Sequence, residues 1–153
     1  MIESIERRAW MLLAGTGLML SGCGETKPYG VSPVSGRITM DGKPLADARV
    51  TFFPLRAAEA NTSQSPPEAM GTTDAEGRYQ LKTVFDDEGA APGRNRVVIS
   101  TLREEYDPNN SDAPPKVVAK ETVPKKYFTG ASQLEFNVPP AGTDAASFDL
   151  TSK

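Results

Sequence analysis

The single thiol of the chain, Cys23, stands in the stretch RRAWMLLAGTGLMLSGCGE, residues 7 to 25, beside Ser21, Gly22 and Gly24. A cysteine or serine hydrolase needs a base next to its nucleophile, and the 153 residues contain no histidine. That one absence removes the commonest general base, the commonest metal ligand and the usual near-neutral switch. A zinc peptidase lacks its nitrogen and sulfur ligands, and nothing marks a Ser–Lys pair. Asp86, Asp87 and Glu88, with Asp74 and Glu76 on another turn, could offer oxygens to Ca²⁺. Their spacing matches no calcium loop, however, and solvated acidic turns are the simpler reading. Among 20 acidic residues some pair lies close by chance, so paired carboxylates give no signal for glycoside hydrolysis. A lysine–asparagine crosslink finds Arg37 where the first strand would need a lysine. No catalytic residue, cofactor or metal is assigned from the sequence.

Cys23 is more informative for what precedes it. Arg7 and Arg8 lead an apolar run from Ala9 to Leu20 that ends in small residues, the order of a secretory signal. The run is too short for a spanning helix, which needs roughly 20 residues. Leu20-Ser21-Gly22-Cys23 resembles the lipobox of bacterial lipoproteins. Small side chains at 21 and 22 admit a peptidase to the backbone, and Gly24 leaves the sulfur accessible. The resemblance implies a diacylglyceryl thioether on Cys23 and cleavage just before it, with residues 1–22 as the signal peptide. Two or more acyl chains anchor stably where one does not. The alternatives are an uncleaved anchor or a plain secretory signal with a free thiol. A twin-arginine signal fits the flanking residues poorly. Residues 23–33 then form the lipidated Cys and a short tether of Gly, Pro, Ser and charges. With its thiol acylated, the mature chain has no disulfide and depends on packing.

From residue 34 to 153 the sequence reads as one domain of short strands. VSGRITM, 34–40, alternates Val34, Gly36, Ile38 and Met40 against polar residues, and DGKP at 41–44 is a hairpin turn. LADARVTFFPL follows, then a loop at 56–69. MGTTDAEGRYQLKTV reads as a second hairpin about Asp74–Gly77, with Tyr79, Leu81 and Thr83 on one face. RNRVVISTL is a strand, and residues 103–122, with Pro108, Pro114 and Pro115, read as a long loop. Leu134, Phe136 and Val138 alternate in the next strand, and FDLTS closes the chain. These are about seven strands with no convincing helix, for which a β-sandwich is the economical packing.

Gly36, Asp41-Gly42-Lys43-Pro44-Leu45, Ala48 and Val50 resemble the first half of a carboxypeptidase regulatory-like domain, a transthyretin-like or Ig-like sandwich. Thr73-Asp74, Gly77, Tyr79 and Leu81 are similar to its second signature, and Pro92-Gly93 before Val97-Val98-Ile99 to its third. Asn95 stands where that pattern usually has an aromatic residue. Pro124, Tyr127, Ser132, Leu134, Phe136 and Val138 resemble the tails of small predicted lipoproteins of planctomycete-type bacteria. The matched positions are turn glycines and core residues, so the resemblance implies architecture and no activity. Transthyretin-like hydrolases of purine breakdown depend on histidines, which excludes that activity.

The net charge of -3 gives no basic field for nucleic acid. The expected protein is a non-catalytic module of the cell envelope, lipid-anchored at Cys23 to the outer membrane or the outer face of the cytoplasmic membrane. Its partner would be an envelope protein or, alternatively, a polysaccharide. Loops 56–69 and 103–122 are the candidate contacts. Tyr106, Tyr127 and Phe128 could stack on a ligand, although Tyr127 and Phe128 also suit the core edge. The four lysines of KVVAKETVPKK, 116–126, suit an acidic polymer or, more simply, the guarding of a strand edge.

Overall fold

The computed structural model describes residues 29–55, 66–110 and 112–153. It holds β1 (Ser35–Met40), β2 (Lys43–Pro44), β3 (Arg49–Pro54), β4 (Ala69–Thr72), β5 (Arg78–Gln80) and β6 (Lys82–Thr83). After these come β7 (Gly93–Ser100), β8 (Arg103–Glu105), β9 (Lys116–Ala119), the one-turn helix α1 (Lys125–Phe128), β10 (Glu135–Val138) and β11 (Phe148–Leu150). The seven strands expected from alternation are β1, β3, β4, β5, β7, β10 and β11. The signal peptide, Cys23 and most of the tether fall outside the described residues, as do residues 56–65 of the first loop.

Two sheets make a sandwich. One runs β10-β7-β3-β4-β6, antiparallel throughout, and the other runs β11-β1-β2, with β5 also pairing β1 along Ser35–Arg37. The first hairpin forms as the Asp-Gly pair dictates. Asp41 and Gly42 both take positive φ, 48° and 77°, the combination that matches the twist of the flanking strands. Period-two burial follows: Ile38 from β1, Val50 and Phe52 from β3, and Val97 and Ile99 from β7 are fully buried. Phe52, Phe136 and Phe148 meet across the layers with ring centroids 6.0–6.3 Å apart in tilted and edge-on contacts. Tyr127 and Phe128 pack against this core, as a plug at its edge.

Two expectations are corrected. The second hairpin has its turn but not its pairing: β4 bonds to β3 and β6, while β5 bonds to β1 in the other sheet. The turn at 73–77 therefore carries the chain from one layer to the other. The crossing is tight, since a Cβ at Gly71 would lie 2.2 Å from the Gln80 carbonyl oxygen. Residues 103–122 are likewise not one long loop, because β8 and β9 pair as a two-stranded hairpin. Val117 and Val118 supply the β-branched residues for it.

Asn95 is fully buried at the start of β7, level with Pro54 and Phe136. Its amide nitrogen donates to the carbonyls of Ala91 (3.0 Å) and Gly93 (2.8 Å), which fixes the turn into the strand. An aromatic residue here would fill space but leave those two carbonyls without this donor.

The last strand enters beside the first through one close crossing. Ala146 is fully buried, its N–H donates to the Ser35 carbonyl (3.1 Å), and its own carbonyl accepts the Tyr79 hydroxyl. A Cβ on Gly36 would lie 1.9 Å from that same carbonyl oxygen, so only glycine fits. Tyr79→Phe removes the donor and leaves a buried carbonyl unpaired, at a cost of about 1–3 kcal/mol. Thermal unfolding should show a lowered Tm for the variant, and an unchanged Tm would show that the bond contributes nothing.

Candidate functional site

The sandwich has two distinct ends, set by the direction of β7. Its first residue follows the turn at 89–92, against which the chain enters: Ser32 exchanges both backbone hydrogen bonds with Ala90, at 2.9 Å each. Its last residue, Ser100, leads into the β8–β9 hairpin. Eight residues of strand separate these ends by about 25 Å. The entry end is called proximal below, the hairpin end distal.

At the distal end the hairpin stands off both sheets and forms its own two-stranded sheet. All of Arg103–Glu105 and Lys116–Val118 are exposed, including the apolar Val117 and Val118, and the flanking Leu102 and Tyr106 are exposed as well. Tyr106 is 72% exposed. A two-stranded hairpin alone is marginal in water, so something must hold it. That something is Glu121, at its root. The carboxylate accepts bonds from the Ser100 hydroxyl, the Thr101 N–H (3.0 Å), the Thr101 hydroxyl (2.8 Å) and the Val123 N–H (2.9 Å). Arg103 also approaches Asp47 at 3.9 Å, an exposed pair of little energetic weight.

On the flank of the sandwich lies a groove of about 850 Å³. Arg37, Arg78 and Lys82 line it together with Asp74, Glu88 and Asp144. Its one aromatic, Tyr79, is turned inward, and burial pushes its hydroxyl well above the usual phenol range. The groove therefore offers mixed charge and no stacking face. Asp74 is a turn former, as its sequence context indicates: its carboxylate accepts the N–H groups of Glu76 (3.0 Å) and Arg78 (2.8 Å).

The structure separates the residues that a calcium site would need. Asp74 and Glu76 sit on the distal turn, whereas Asp86–Glu88 sit on the proximal one. Among the described residues no group of three His, Cys, Asp or Glu side chains is placed to hold a metal. Of the two loops expected to make contacts, 103–122 supplies the exposed hairpin, and Ala69 of the other is buried in β4. Lys116 is the first residue of β9 and Lys120 follows its last, and exposed lysines at an open strand edge disfavour indiscriminate pairing. The role of Glu121 was visible only as an isolated acid among those lysines.

No family model matches the chain, and no curated protein matches it in sequence. Among solved structures, a 9R-lipoxygenase from Cyanothece PCC8801 aligns with 83% of the chain at 13% identity and a TM-score of 0.37, and the chain spans only 17% of that enzyme. A proposed carbohydrate-binding protein from Pseudomonas aeruginosa aligns with 83% of the chain, over 92% of its own length, at 13% identity and a TM-score of 0.35. At this level of similarity neither protein's chemistry transfers to the chain.

Glu121 gives the site a pH dependence. Burial alone would raise its carboxyl, but the hydrogen bonds from Ser100, Thr101 and Val123 outweigh that and hold it below the ordinary 4.5. A carboxyl lowered on folding stabilises the hairpin root fully above the ordinary value and loses that contribution as pH falls through the folded one. The amide resonances of Thr101 and Val123 should titrate together with a midpoint below 4.5. A midpoint at or above that value would show that the carboxylate is not clamped.

Proposed function

We propose that the chain is a lipid-anchored protein of the cell envelope whose sandwich is a non-catalytic module that binds another envelope protein through the β8–β9 hairpin. The observation that carries this reading is the position of that hairpin. It lies at the opposite end of β7 from the segment leading back to Cys23, so an anchored domain holds it away from the lipid. Its open strand edges and exposed Val117, Val118 and Tyr106 suit addition of a partner strand or packing against an apolar patch. The lipobox-like Leu20-Ser21-Gly22-Cys23 and the carboxypeptidase regulatory-like signatures support the anchor and the scaffold respectively. Loops on a rigid scaffold are the usual carriers of recognition.

Among the described residues the buried core runs from Val34 to Leu150, so residues 25–153 serve for a binding test. This segment should be retained saturably on isolated cell-envelope material, and protease treatment of that material should abolish retention. Val117→Asp with Val118→Asp should weaken it on the order of tenfold while leaving the Tm nearly unchanged, because both side chains are exposed. Retention that survives protease would instead identify a polysaccharide ligand. Retention indifferent to the double variant would move the contact away from the hairpin.

The anchor has a separate check. Cys23→Ser should accumulate uncleaved or leave the membrane fraction. A variant that is still processed and membrane-bound would exclude Cys23 as the lipid acceptor.

A further inference from the structure

The proximal end carries an apolar feature that neither the core nor the hairpin explains. The turn after β6 is closed by the Asp86 N–H donating to the Thr83 carbonyl at 2.9 Å, so Val84 and Phe85 occupy its two central positions. Such positions favour Gly, Pro, Asn, Asp and Ser, which supply the needed dihedrals or local hydrogen bonds. Here the two side chains are bare instead, Val84 53% and Phe85 66% exposed. Nor is the tip loose. The buried Thr83 hydroxyl accepts the N–H groups of Phe85 (3.2 Å) and Asp87 (3.1 Å), and Lys82 bonds Asp86 at 3.0 Å. A preorganised turn is holding two apolar side chains in water.

Its location says what covers them. The strand pair returning from this turn bonds Gly89 to Leu81 (2.7 Å) and then Ala90 to Ser32, and Gly30 lies beside Pro92. The described chain thus runs toward its N-terminus at the same end as Val84 and Phe85. Eight residues, and so nine Cα-to-Cα steps, separate Ser32 from Cys23, a reach of at most about 32 Å. We infer that Val84 and Phe85 insert into the lipid interface beside the anchor, as a second membrane contact that orients the domain. The inference rests on the membrane-anchored reading of Cys23. An interfacial position is where an aromatic and an aliphatic side chain on a polar frame are most stable. The neighbouring charges choose the lipid: Lys82 pairs with Asp86, and the acids Asp87 and Glu88 follow directly in the chain, so a zwitterionic surface suits the tip and an anionic one repels it. With the tip seated, the β8–β9 hairpin points away from the membrane.

The test uses the full chain, with Cys23 coupled through its thiol to a maleimide lipid in phosphatidylcholine vesicles. Chemical tethering makes the result independent of whether cells acylate Cys23, which palmitate labelling of the natural chain reports separately. In a Trp10→Phe background, Phe85→Trp places the sole tryptophan at the tip and Tyr106→Trp places it on the distal hairpin. Both sites are exposed, so neither substitution disturbs the core. The inference expects a blue shift and quenching by bromine-labelled phosphatidylcholine for Phe85→Trp and neither for Tyr106→Trp. It also expects anionic phosphatidylglycerol in the vesicles to reduce the quenching. Equal quenching at both sites, or none at position 85, would overturn it.

Discussion

The domain depends on how its last strand is fastened beside its first. The chain has a single cysteine, so no disulfide within it can tie the ends of the domain together. The fastening is instead the crossing of Gly36, Ala146 and Tyr79. Missing side-chain volume at Gly36 lets the 145–147 segment reach the backbone of β1. The Tyr79 hydroxyl then satisfies the carbonyl that this approach buries. From there β11 runs parallel to β1 and delivers Phe148 into the aromatic cluster with Phe52 and Phe136. Parallel pairing of the two strands most distant in sequence needs a long excursion between them. That excursion is what builds the rest: the second sheet, the hairpin and α1.

The same topology gives the molecule its polarity. Because β7 runs the full height of the sandwich, the chain enters it beside its own N-terminal segment at one end and leaves it into the β8–β9 hairpin at the other. The two ends then solve opposite problems of exposed apolar surface. At the distal end the hairpin keeps open edges, but its strands are short and carry charges at Arg103, Glu104, Glu105 and Lys116, which disfavours indiscriminate edge pairing. At the proximal end Val84 and Phe85 stand exposed on a turn instead. On the proposed anchored reading the two surfaces have different surroundings, lipid for one and water for the other.

Where the sequence was legible, a local signal and a long-range requirement agreed. The Asp41-Gly42 turn demands positive φ, and the alternation of Val34, Gly36, Ile38 and Met40 demands one buried face; both are local, and both appear in the fold. The turn at Asp74–Gly77 was equally local, but the partners of its two arms were not. Which sheet receives β5 depends on Ser35–Arg37 lying free along β1, a fact settled by residues forty positions away. The β8–β9 hairpin was hidden for a different reason. Three prolines and many charges outweigh the short Val117-Val118 run in any local reading, and the clamp that makes the hairpin viable joins Glu121 to Ser100 and Thr101 some twenty residues earlier. Asn95 could be located but not interpreted, since its partners are the backbone carbonyls of the preceding turn.

Residues with displaced protonation equilibria cluster at catalytic sites in many enzymes, and their use here is instructive. Tyr79 is held neutral by burial, which makes it a dependable donor; its hydroxyl donates a hydrogen bond to a backbone carbonyl. Glu121 is held charged by its donors, which makes it a dependable acceptor; two of those donors are backbone amides and the others are hydroxyls of the same knot. Both groups are thus engaged with the chain's own backbone and turned away from the groove. The groove, in turn, is lined by charges of both signs with no aromatic face to stack on. On the proposed reading this division is coherent. The polar chemistry is consumed in fixing the two ends of a rigid scaffold, and what remains for other molecules is apolar surface at defined positions: Val117, Val118 and Tyr106 at one end, Val84 and Phe85 at the other.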